Sequence, residues 1–377
     1  MNEPGLGGSF WPSEEQKLLL RAACSGGEAG ADAWRLLRPR LNLDQLEPAS
    51  FPVLPLVARQ LERLGIDDEY RPRLAGIRRR TWYLNRLQLP ALAASLHHLE
   101  QAGGEPVVVG GWQFLAHYQR EDFGVRAVDG LEVLVRPDRL DRCAQALRAV
   151  GFAAPRRPLG KSLCLVDAGH ACTLKERFSD EFSVPERAIE LDDFRQECIE
   201  IVLGTAHTRV LSPSDELVRV CLAGARMASP PSIVWVADAL SVLQAAGHSV
   251  DWQRAIDHAH RLRGTLRLHD ALLYLRRDFA AAVPDNVIQM LEAHRPRRRE
   301  LLAHTRAGRS RRVVATRFLF VTADLPLAAA LAAVPTYLRD ELGLSRRSSV
   351  PLEVVRRLVA RARTVPGRRT RPQASAE

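Results

Sequence analysis

The chain has 377 residues, 46% of them hydrophobic and 26% charged, with a formal net charge of +10. That length allows two or three domains with a sizeable core, and the balance excludes a disordered or fibrous chain. The start, MNEPGLGGSF, has no basic n-region or apolar h-region, and the nearest candidate span, Phe318 to Leu338, is broken by Asp324, Pro326 and Pro335. The expectation is a cytoplasmic protein that is not transmembrane.

The charge is uneven. From Arg295 to Glu377 there are 19 arginines and 6 acids, a net +13, which leaves the first 294 residues at −3. The body is near neutral and carries a basic C-terminal appendage. The six cysteines, Cys24, Cys143, Cys164, Cys172, Cys198 and Cys221, form no C-x-x-C pair and have no histidine at zinc spacing. They read as small buried residues in a reducing compartment.

Helices lead the chain. Ser13-Glu14-Glu15-Gln16 is a capping-box pattern before Leu18, Leu19, Leu20 and Ala22. Ala33 to Leu46 and Leu54 to Leu64 are further apolar-periodic segments. A long helical pattern runs from Arg73 to Ala102, with Pro90 as an expected kink and Gly103-Gly104 as its stop. The period then changes. Strands are expected at Val107 to Val109, Leu131 to Val135, Ser162 to Val166, Ala171 to Lys175, Ala188 to Leu191 and Glu200 to Val202. Asp138 is the expected N-cap of a helix that Gly151 closes. After Val210 helices return, the first opening with Ser212-Pro213. The division expected is 1–103 helical, 104–210 an α/β core, 211–310 helical, and 311–377 a basic extension with a disordered end.

The most informative stretch is Val107 to Pro137. An apolar run ends in Gly110-Gly111, a short amphipathic segment and Arg126 follow, and a second apolar run starts Asp129-Gly130-Leu131-Glu132. Two carboxylates at i and i+2 on a strand point to one side and can hold two magnesium ions. Such a pair stabilises the attacking and leaving oxygens of a displacement at phosphorus. A glycine turn beside the strand lets backbone N–H groups approach a triphosphate. Here alternation places Leu131, Val133 and Val135 on one face and Gly130, Glu132 and Leu134 on the other. Glu132 alone is a ligand on the second face. Asp129 needs a bulge to join it. By spacing alone, the two acids read as a solvated pair at a strand's start.

From about Lys17 to Val359 the chain resembles the uncharacterised nucleotidyltransferase family of bacterial biosynthetic clusters. Gly111, Tyr118, Arg126, Trp235 with Asp238, and Asp251-Trp252 match its pattern, as does Leu131 to Gly151. The departures lie mostly in the chemistry. The family's Lys falls on Gly110, its first metal Asp on Gly130 and its second on Glu132. A later acidic position falls near Thr173 to Glu176, where Thr173 and Lys175 are no carboxylates and Glu176 or Glu190 are displaced candidates.

The resemblance implies an α+β fold, with a nucleotidyltransferase-like mixed β-sheet core flanked by N-terminal and C-terminal helical regions. It implies Gly110, Gly111 and Arg126 as nucleotide-binding residues, and Glu132 and Asp129 as catalytic and metal residues. Mg2+ binding is expected to be weak. The function expected is an inactive or weak transferase that acts as a nucleotide- or partner-binding protein. The alternative is an active Mg-dependent enzyme moving a nucleotidyl group from an NTP to an unidentified acceptor. Restoring Gly130→Asp with Glu132→Asp is expected to strengthen metal binding. The arginine-rich C-terminus suggests an anionic polymer or a membrane surface as a further partner.

Other motifs carry less. Pro155 to Ser162, PRRPLGKS, ends like a phosphate loop but has Pro155 at the first glycine position. His97-His98 are adjacent, and His258 and His260 diverge on a helix. Asp192-Asp193 reads as a solvated loop, and Trp235 and Trp252 as core anchors.

Overall fold

The computed structural model describes residues 11–119, 122–153, 163–167, 170–175, 177–178, 189–224, 233–296 and 300–301. All lie in one compact unit, Met1–Arg309. The expectations for 155–162, 318–338, 364–377, Glu176 and the Glu190 side chain fall outside the described residues.

Four helices come first: α1 (Glu14–Cys24), α2 (Gly27–Leu37), α3 (Leu54–Arg63) and α4 (Arg71–Gln101). The capping box opens α1 as expected. Gln16 N donates to Ser13 Oγ (3.3 Å), and Ser13 N donates to Gln16 Oε1 (3.0 Å). α2 starts and ends earlier than the apolar periodicity implies, and the later apolar residues Leu41 and Leu43 are buried from turns instead. α4 is a continuous helix through Pro90. Pro90 lies on the exposed side of the helix.

The mixed core follows: β1 (Val107–Val109), α5 (Gly111–Gln113), β2 (Leu131–Leu134), α6 (Leu140–Ala149), β3 (Leu163–Asp167), β4 (His170–Lys175), β5 (Arg177–Phe178), β6 (Ile189–Glu190), α7 (Leu191–Arg195), β7 (Ile199–Leu203) and β8 (Ala206–Val210). A π-helical turn, Phe114–Tyr118, extends α5. Six strands form one sheet in the order β3-β4-β2-β1-β8-β7, and β5 pairs with β6 separately. β1 and β2 are antiparallel neighbours with Val109 opposite Glu132, so the two halves of the sequence motif share one sheet. β2 and β4 run parallel, with Glu132 opposite Thr173. α4 and α6 pack against strands of this sheet.

Three local expectations are corrected. β8, unforeseen, is an interior strand parallel to β1. Its sequence, Ala-His-Thr-Arg-Val, is short and polar, and pairing on both sides fixes it. Asp138 does not cap α6. Pro137 opens a 3-10 turn before it, which takes the extended cap conformation away, and Asp138 instead accepts from Arg136 Nε at 3.0 Å. Asp192-Asp193 lies in α7 rather than in a loop, and Asp193 binds Arg261 through both carboxylate oxygens (3.0 and 2.8 Å).

Among the described residues, further helices follow: α8 (Pro213–Gly224), α9 (Val234–Ala246), α10 (Trp252–Arg261), α11 (Thr265–Phe279) and α12 (Asp285–Glu292). α8 and α9 are buried over nearly their whole circumference, including the charged residues Asp215, Glu216 and Asp238. One apolar cluster runs from Leu19 in α1 to Leu291 in α12, so sheet and helices share a core. The architecture is the α+β, mixed-sheet arrangement with flanking helices that the resemblance implies. Among the described residues no helix is long and apolar enough to cross a membrane.

Candidate active site

β1 consists of three buried valines and ends at Gly110, whose backbone (φ 74°, ψ −142°) is open to glycine at little cost. A Cβ there would meet the Glu132 carboxylate at 3.4 Å, so the turn and this acid face each other. Gly111 is packed too closely for a side chain: a Cβ would lie 2.8 Å from Val128 Cγ2. Gly110, Gly111 and Glu132 are therefore brought together.

Alternation along β4 puts Thr173 and Lys175 on the same side of the sheet as Glu132. Lys175 Nζ donates to Glu132 Oε2 at 2.5 Å, and both side chains are partly open to solvent. An ammonium group thus sits on the one carboxylate the motif retains.

Gly130 is closed to any side chain. Its φ is 151°, and a Cβ would lie 2.6 Å from the Ala171 carbonyl oxygen on β4. Asp129 is exposed ahead of β2, and its side chain makes no hydrogen bond or ion pair among the described residues.

Behind the pair lies a layer of buried charge on α8 and α9. Arg219 grips Glu216 through two hydrogen bonds of 2.6 Å. Burial pushes the Glu216 carboxyl above its ordinary range, against the pull of Arg219. Burial alone would lower the Arg219 guanidinium, but Glu216 outweighs it, Glu132 and Asp238 add to the effect, and the net direction is up. Arg126 donates to Asp238 at 3.2 Å. Burial raises the Asp238 carboxyl despite Arg126 and Arg219. Asp238 Oδ1 and Arg126 Nε are buried with no hydrogen-bond partner among the described residues.

Arg126 is therefore held by Asp238 of α9. Sequence reasoning missed Lys175 as a site residue, and Glu216 and Arg219 altogether. A signal for the last two existed: a Glu and an Arg three apart inside Leu217, Val218, Val220, Cys221 and Leu222 are charges on a helix with no polar face.

The glycine turn and carboxylate strand of one mixed sheet, backed by helices, are the frame of a nucleotidyltransferase. The chain belongs to the uncharacterised nucleotidyltransferase family, whose pattern matches residues 52–280. The chain is also similar to the solution structure of the antibiotic-resistance factor ANT(2'')-Ia, at 14% identity and a TM-score of 0.35, over 52% of this chain and 99% of that one. No curated protein matches it.

Enzymes of this family generally use divalent metal, and the described residues do not fit a pair of magnesium ions. Magnesium takes oxygen ligands at about 2.0–2.1 Å in octahedral geometry. The first carboxylate position is a glycine with no room for a side chain, and the second is engaged by Lys175. Among the described residues no three His, Cys, Asp or Glu side chains are grouped to hold a metal.

Proposed function

We propose that the chain is a nucleotidyltransferase-fold protein that has given up two-metal catalysis and acts as a binding protein for a nucleotide. The observation that carries this reading is the 2.5 Å contact of Lys175 with Glu132. In the family's chemistry, divalent cations bridge protein carboxylates and phosphate oxygens. Here the Lys175 ammonium supplies a fixed positive charge on the carboxylate itself. It has two further N–H donors to offer a phosphate.

The turn at Gly110 supports the same reading, because no side chain of its own stands between its backbone and the Glu132 carboxylate. The unused polar atoms of Arg126 and Asp238 add hydrogen-bonding capacity where α9 meets the motif. Transfer to an acceptor needs charge stabilisation on both the attacking and leaving oxygens, and a single ammonium offers it at one point.

The test is calorimetry with ATP, in magnesium and in EDTA. We expect the two affinities to agree within about threefold, and Lys175→Gln to weaken both by about tenfold, equivalent to ~1.4 kcal/mol. ATP binding that needs magnesium and disappears in Glu132→Gln would instead establish the active-enzyme reading. No binding in either buffer would leave a partner-binding role for the fold.

A further inference from the structure

The described surface carries a second feature unrelated to Glu132. Between Arg71 and Pro90, α4 contains six arginines (Arg71, Arg73, Arg78, Arg79, Arg80 and Arg86) and no acid. Four large apolar side chains on the same stretch face solvent: Trp82 at 45%, Tyr83 at 57%, Leu84 at 42% and Leu87 at 55%. Arg73 is paired with Asp44, and Arg78 with Glu62 and Asp122. Arg71, Arg79, Arg80 and Arg86 make no ion pair among the described residues. Arg79, Trp82, Tyr83 and Arg86 follow i, i+3, i+4, i+7 spacing, so they form one stripe about 10 Å long, cation at each end and rings between.

The stripe borders a cavity of about 350 Å³ between α3 and α4. Leu61, Leu74 and Ala75 give it an apolar lining, Trp82 an aromatic one, and Arg71 and Arg79 stand at it. The two acids that also line it, Glu62 and Asp122, are both paired with Arg78, and the unpaired Arg71 and Arg79 leave the lining net positive. None of Gly110, Glu132 or Lys175 contributes to it.

We propose that this face binds single-stranded nucleic acid, with an unpaired base lodged in the cavity against Trp82 and the flanking phosphates held by Arg71, Arg79, Arg80 and Arg86. Unpaired surface arginines attract a polyanion, and a second copy of the chain would be repelled by the same run. Exposed rings beside cations form the stacking platform that single strands use, where each base presents a π-face. A duplex keeps its bases stacked on each other. A bilayer is flat over this scale and does not enter a recess.

The experiment uses the full chain and a labelled 12-nucleotide homopolymer, DNA and RNA, followed by fluorescence anisotropy at several salt concentrations. Two variants are compared with the parent: Trp82→Ala, and Arg79→Gln with Arg80→Gln and Arg86→Gln. All these side chains are exposed, so melting temperatures should match the parent's. Trp82→Ala should weaken binding by about tenfold or more with an unchanged salt slope. The triple variant should reduce the slope of log affinity against log salt by about 2, at roughly 0.7 per phosphate on a single strand. Binding that both variants retain in full would place nucleic acid elsewhere on the chain and overturn the proposal. So would no strand binding at low salt, or binding by the parent to phosphatidylserine vesicles alone.

Discussion

At the scale of single residues, the state of this site turns on Gly130. Its replacement of a metal-binding aspartate looks, in sequence, like a change that one substitution reverses. The structure gives the opposite expectation. The backbone has φ 151° and the position of a Cβ is 2.6 Å from the Ala171 carbonyl, so β4 has closed over the strand's start. We expect Gly130→Asp, alone or with Glu132→Asp, to lose about 2 kcal/mol or more of stability and to gain no magnesium affinity. Urea midpoints and a magnesium titration followed by calorimetry check both parts. A stable variant that binds magnesium would show that β4 gives way easily.

At the scale of elements, charges join helices that apolar packing alone would leave free to slide. Asp215 in α8 is buried and accepts Ser212 Oγ at 2.8 Å and Arg254 Nε, from α10, at 3.0 Å, while His258 Nδ1 of α10 lies 2.7 Å away. Burial by itself would raise its carboxyl, but the bonds from His258 and Arg254 outweigh burial and hold it below its ordinary value. A carboxylate lowered in this way stabilises the fold above its unfolded pKa, about 3.9, and that contribution is lost as pH falls through the lower folded value. Asp215→Asn should therefore cost about 3 kcal/mol at pH 7, since it leaves the Arg254 guanidinium against a neutral group. The gap between parent and variant should narrow steadily below about pH 4. Urea melts at a series of pH values measure this, and a gap that stays constant down to pH 2 would count against the ion-paired Asp215.

At the scale of the whole molecule, the net charge of +10 is concentrated beyond the helical unit. The sequence suggests a cut at Arg295, but Glu300 is buried, accepts Leu266 N at 2.9 Å and lies 3.0 Å from His294 Nε2. Truncation before Arg295 would strip that contact from the start of α11. A chain ending at Arg309 keeps the unit intact and removes most of the basic excess. If the C-terminal region binds polyanions, this truncation should elute from heparin at clearly lower salt than the full chain while melting at the same temperature. Equal elution would assign heparin retention to the described unit, where α4 carries its arginine run.

Much of the fold was legible because period and punctuation act locally. The capping box of α1, the alternation of β2 and the Ser212-Pro213 start of α8 each rest on groups a few residues apart. β8 was not legible, since a short polar strand exists only through the neighbours that pair with it. The site divides in the same way. The sequence by itself determined that the Asp-x-Asp pattern is absent, that Glu132 is the carboxylate left on the site face, and that Gly110-Gly111 precedes it. Only the tertiary structure decided that Lys175, 43 residues away, lies on Glu132, that Ala171 closes Gly130, and that Arg126 belongs to Asp238. Strand register sets those contacts, and register is a property of paired strands and packed helices rather than of any one segment.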